Sequence, residues 1–68
     1  MIGESFLDGR YVTGMYMGDY PVSGTVRLSR VKYGGGMSHH VTLNRPITVH
    51  GAVRDSIILD AKEILGVL

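Results

Sequence analysis

Arg27, Arg30, Lys32, Tyr33 and His40 are the side chains of this sequence best equipped to do chemistry together. They lie between Pro21 and His50, a stretch that also holds Arg45, His39 and His50 and contains no Asp or Glu. Cationic groups without carboxylates beside them attract an anion, and a sheet can gather them onto one face. The whole chain carries a formal charge of only +1 and a pI near 8.2. This is therefore a local asymmetry, and it argues against a strong non-specific nucleic-acid binder, whose domain pI usually exceeds about 9. Tyr11, Tyr16, Tyr20 and Tyr33 could cage a methylated cation or stack bases beside the cations. The plainer alternative is that two are core and two are rim.

Other chemistries find less support. His39-His40, with His50 as a third ligand, invites a metal reading, but neighbours on a strand point to opposite faces and no cysteine can complete the site. No metal and no cofactor are expected. Gly34-Gly35-Gly36 is not followed by the Lys-Ser/Thr and helix of a phosphate loop, so it reads as a hairpin tip. Ser23, Ser29, Ser38 and Ser56 lack a nucleophile elbow, and spacing alone gives no Ser/His/Asp set. Asp55, Asp60 and Glu63 alternate with Arg54 and Lys62 and read as a solvated end. An enzyme is not expected.

The elements that must position these residues are strands. Sixty-eight residues make one small domain with a thin stability margin, and without cysteine no disulfide can reinforce it. Residues 1–8 read as a lead-in and residues 9–68 as the domain. Tyr11–Met17 is a β-prone run with Tyr11, Met15 and Met17 on one side and Val12, Gly14 and Tyr16 on the other. Both sides are apolar, so the Tyr11, Met15 and Met17 side is expected to meet a second copy. Val22, Gly24, Val26 and Leu28 then alternate with polar residues, and the phase slips after Ser29. A bulge there would keep Arg27, Ser29, Arg30 and Lys32 on the polar side. Met37–Leu43 alternates as well, Asn44-Arg45-Pro46 interrupts it, and Gly51 marks a turn. Between one helix and a strand–turn–strand for residues 56–68, the compact run Ile57-Ile58-Leu59 and the late Gly66 favour the second.

Five strands, a bulged second strand and one helical turn before the last strand resemble the SH3-like small barrel, the Tudor, KOW and Sm-type architecture. The motifs that carry the resemblance are Gly9-Arg10-Tyr11-Val12-x-Gly14 and Val22-x-Gly24-x-Val26. It implies an all-β, five-stranded barrel over residues 9–68 and no particular function. The functional expectation is a small regulatory module, of a size that phage and plasmid genomes often encode, that works by binding. Nucleic acid or a nucleic-acid-handling protein would meet Arg27, Arg30, Lys32, Tyr33 and His40. The alternatives are an oligomeric pocket for a small anionic ligand such as a nucleotide, and a structural assembly subunit. No apolar run approaches the ~18 residues of a membrane span, and Met1-Ile2-Gly3-Glu4 has no basic leader, so a cytoplasmic location without membrane contact is expected.

Overall fold

The alternation along Val22–Val26 and Met37–Leu43 becomes the middle of a single sheet in the computed structural model, which describes residues 2–68. Its strands are β1 (Tyr11–Tyr16), β2 (Tyr20–Val31), β3 (Met37–Val49), β4 (Ala52–Asp60) and β5 (Ile64–Val67). They are antiparallel in the order β4-β3-β2-β1-β5. One 3-10 turn, Ile2–Glu4, precedes them, and a second, Ala61–Glu63, joins β4 to β5. The last quarter is thus strand–turn–strand, with Ile57 and Leu59 facing the core and Ile58 facing out. The lead-in is described from Ile2 onward, because Met1 lies outside the described residues.

β2 and β3, at 12 and 13 residues, are about twice the usual strand length. The first half of β2 pairs with β1 and its second half with β3. At Gly24 and Thr25 the two ladders overlap, and Gly24 faces Val12 on one side and Leu43 on the other. A Cβ there would overlap the Thr42 carbonyl oxygen, so this close passage of backbone on backbone requires glycine. β3 makes its own bend at Leu43–Pro46, where Thr42↔Ser56 gives way to Ile47↔Arg54. Pro46, which has no N–H, falls inside that irregularity. Val12, Val26, Val41 and Leu59 are almost fully buried between the curved halves, and Leu7 of the lead-in joins them.

Two expectations need correction. The sheet does not close into a barrel: β4 and β5 form the two edges and share no ladder. β5 is only four residues long, and the N-terminal 3-10 turn packs alongside it and against the second 3-10 turn. The β2 bulge also lies earlier than the hydropathy slip indicates, at Arg27, between the pairs Val26↔Val41 and Leu28↔His40. Ser29 consequently turns inward and is 4% exposed, whereas Leu28 turns outward and is 45% exposed.

β1 ends before Met17, which sits with Gly18 in the turn to β2 at a left-handed φ of 55°. Asp19 N–H closes this turn on the Tyr16 carbonyl at 3.1 Å, and Met17 N–H donates to Glu63 Oε2 at 2.9 Å. A left-handed L-residue costs roughly 1–2 kcal/mol, and Asn relieves part of it by local hydrogen bonding. Met17→Asn is therefore expected to stabilise the protein by about 0.5–1 kcal/mol, raising Tm by several degrees in a thermal melt. A lowered Tm would show that the exposed Met17 side chain makes a stabilising contact.

Candidate functional site

The bulge at Arg27 shapes the outer face. With two consecutive residues looking out, Arg27 and Leu28 both reach a groove of about 770 Å³ over β2, β3 and β4. Its other polar lining comes from His40 and Thr42 of β3, Arg54 and Ser56 of β4, and Tyr16 of β1. The pairs Leu28↔His40 and His40↔Ile58 set one cross-strand row with the histidine between two exposed aliphatic side chains. The pairs Thr25↔Thr42 and Thr42↔Ser56 set a neighbouring row of hydroxyls. Two guanidinium groups, an imidazole and several hydroxyls thus share one open concavity with Leu28 and Ile58.

No carboxylate lines this groove. Among the described residues the one ion pair is Lys32 Nζ–Asp60 Oδ1 at 3.1 Å, so neither Arg27 nor Arg54 is paired. The side-chain set therefore favours an anion and disfavours a cation. That also answers the tyrosine-cage reading. Tyr16 and Tyr20 lie 6.4 Å apart between ring centroids, but Tyr16 opens onto the arginine-lined groove.

Of the residues singled out from sequence, Arg27 and His40 line the groove. Arg30 is exposed and pairs with Ser38 in the adjoining row. Lys32 continues the same outward series but is engaged by Asp60, a carboxylate brought in from β4. Tyr33 is fully exposed at the tip after β2. That tip is held by Lys32 N–H on Gly36 O and Gly35 N–H on Lys32 O, with Gly34, Gly35 and Gly36 all at positive φ. Arg54, Leu28 and Ile58 were not legible as site residues. The signal for Arg54 was period-2 spacing with Ser56 and Ile58; its neighbour Asp55 made it look neutralised.

Tyr11 and Met15 are half-buried on the outward side of β1, and Met17 is exposed in the turn. Met15 lines a second groove of about 710 Å³ with Leu65, Arg45, Pro46 and others. Tyr11 and Met17 are not part of it. Glu63 is no solvated charge: one oxygen accepts from Met17 N–H and the other from Asp60 N–H at 2.8 Å, fastening the β1–β2 turn to the second 3-10 turn.

The structure does bring a serine and a histidine together. Ser29 Oγ lies 2.7 Å from His39 Nδ1. His39 is 0% exposed, however, and its Nε2 is bonded to the Gly3 carbonyl at 2.8 Å instead of a carboxylate. A nucleophile there would have no route to a substrate, so the pair acts as a structural link. His39 faces the core and His40 the groove, and no three His, Cys, Asp or Glu among the described residues are grouped to hold a metal ion. Comparison of the chain with protein-family models, curated proteins and solved structures found no match, so the functional reading rests on this geometry.

Proposed function

We propose that this protein is a small non-catalytic module that binds nucleic acid through the outer groove of β2, β3 and β4. One observation carries the reading: Arg27 and Arg54, both without an acidic partner, meet at a groove that contains no carboxylate. Guanidinium groups suit phosphate because they donate in a planar fork and stay charged at any working pH. The small number of free cations fits a limited contact and the modest pI. The strand order and the single 3-10 turn before β5 support placing the fold beside the SH3-like small barrels, as a form left open between β4 and β5.

The test is the double change Arg27→Glu, Arg54→Glu, checked for its fold by circular dichroism. Fluorescence anisotropy with labelled oligonucleotides near 0.15 M salt reads the binding. Two charge-assisted phosphate contacts at about 1.5 kcal/mol each correspond to roughly a hundredfold weaker affinity. Arg45→Glu, in the second groove, is the control for net charge and is expected to change affinity by less than about threefold under that screening. An equal loss in Arg45→Glu, or none in the double variant, would remove this groove as the binding surface.

A further inference from the structure

We infer that the groove takes a single strand, laid along β2 from Arg27 to Tyr33, and not a duplex; this rests on the nucleic-acid reading above. The first support is the row Leu28–His40–Ile58. Leu28 and Ile58 are 45% and 52% exposed, large apolar side chains held open to solvent beside the arginines. A duplex exterior offers a binding face mostly phosphate and sugar, which leaves such side chains without partners. An unpaired strand offers base faces that can cover them.

Tyr33 gives the second support. Its ring stands wholly in solvent on a tip whose three left-handed glycines and two backbone hydrogen bonds define its shape. A tyrosine presented this way offers its ring faces to a base as a stacking platform. From Arg27 to Tyr33 the chain covers about 20 Å of extended backbone. Leu28, Arg30 and Lys32 are the outward residues between those ends. That length suits about four nucleotides, the low end for small β-domains that grip single strands.

Charge supplies the third. The uncompensated cations along the track are Arg27, Arg30 and Arg54, while Asp60 neutralises Lys32. Three contacts are few for a duplex, whose binders commonly make about 6–10. They are sufficient where stacking supplies the remainder. Asp60 thus acts as a brake on affinity: its carboxylate lies beside the path of the phosphates and withholds a fourth cation.

The experiment compares labelled ten-nucleotide oligo-dT and oligo-U with a 20-base-pair duplex by anisotropy, across about 0.05 to 0.3 M salt. Binding of either strand, at least about tenfold tighter than the duplex and with a log–log salt slope near −2, is expected. Comparison of the two strands reads whether the 2′-hydroxyl is sensed. Tyr33→Ala, at an exposed position that the fold does not use, is expected to weaken single-strand binding about tenfold with the slope unchanged. Asp60→Asn keeps the size of the side chain and leaves the Asp60 N–H bond to Glu63 in place, and is expected to tighten binding and steepen the slope by about 0.7 as Lys32 joins in. Duplex binding as tight as either strand would overturn the inference and leave the nucleic-acid reading standing. So would a neutral Tyr33→Ala combined with weaker binding in Asp60→Asn. Failure of strands and duplex alike, or displacement of the strands by oligo-glutamate at equal concentration, would remove both.

Discussion

Gly24→Ala is expected to lower Tm by about 12–24 °C. The added Cβ would overlap the Thr42 carbonyl oxygen and come within 2.9 Å of Leu43 Cα, both of them backbone. Overpacking a well-filled core usually costs about 1–3 kcal/mol because side chains can move aside. Here the obstacle is a paired strand, and relief requires β3 to separate from β2. The cost should therefore reach about 3 kcal/mol, out of a total stability of roughly 5 kcal/mol for a domain this small. Truncating the Thr42 side chain cannot rescue the variant, since the clash is with its main chain. A thermal melt of purified protein decides the matter. A shift of less than about 4 °C would mean that β2 and β3 can part at Gly24 without loss, so that the overlap of the two ladders is not what fixes the curvature of the sheet.

That curvature explains why some of the site was legible in the sequence and some was not. Residues 21–29 show a clean period of two, and the stretch free of carboxylates marked β2 and β3 as the cationic side; Arg27 and His40 do line the groove. The hydropathy signal places the bulge after Ser29, whereas the pairing places it at Arg27. Leu28 looks like a core residue by type, and Ser29 like a surface one. The structure inverts them because Ser29 has buried hydrogen-bond partners waiting, in His39 and the Leu7 amide, while Leu28 belongs to the groove. Such a swap depends on contacts 10 and 22 residues away, which period-2 reasoning along one strand does not contain. Arg54 was hidden for a related reason. Adjacent charges cancel along the sequence, but a strand sends Arg54 and Asp55 to opposite sides. Lys32 shows the converse, since its neutralising partner Asp60 lies 28 residues on and is brought beside it only by the β3–β4 pairing. The barrel expectation failed because β4 and β5 share no ladder, and the lead-in, set apart from the domain in the sequence, supplies Leu7 to the core and the Gly3 carbonyl to His39.

The attachment of that lead-in leads to the second large effect. Leu7 N–H donates to Ser29 Oγ at 2.9 Å, Ser29 Oγ meets His39 Nδ1 at 2.7 Å, and His39 Nε2 meets the Gly3 carbonyl at 2.8 Å. A carbonyl can only accept, so Nε2 carries the proton. In the neutral ring Nδ1 is then the acceptor for the Ser29 hydroxyl, whose oxygen accepts in turn from Leu7. Each of these polar atoms has a partner, and Ser29 Oγ both accepts and donates, in a region where the histidine is wholly buried. His39→Leu would strand the Gly3 carbonyl and the Ser29 hydroxyl, and Ser29→Ala would strand the Leu7 amide and Nδ1. Each orphaned group costs about 1–3 kcal/mol, so each variant is expected to lose roughly 2–5 kcal/mol. The double variant should lose clearly less than the sum, by about 1 kcal/mol or more, because the Ser29–His39 bond can be broken only once. Hydrogen exchange should show the Leu7 amide protected in the parent protein and fast in Ser29→Ala. His40→Ala, one residue away on the outer face, is expected to leave Tm nearly unchanged and act on binding alone. Additive losses with a rapidly exchanging Leu7 amide in the parent protein would show that the lead-in is not held by this chain of bonds.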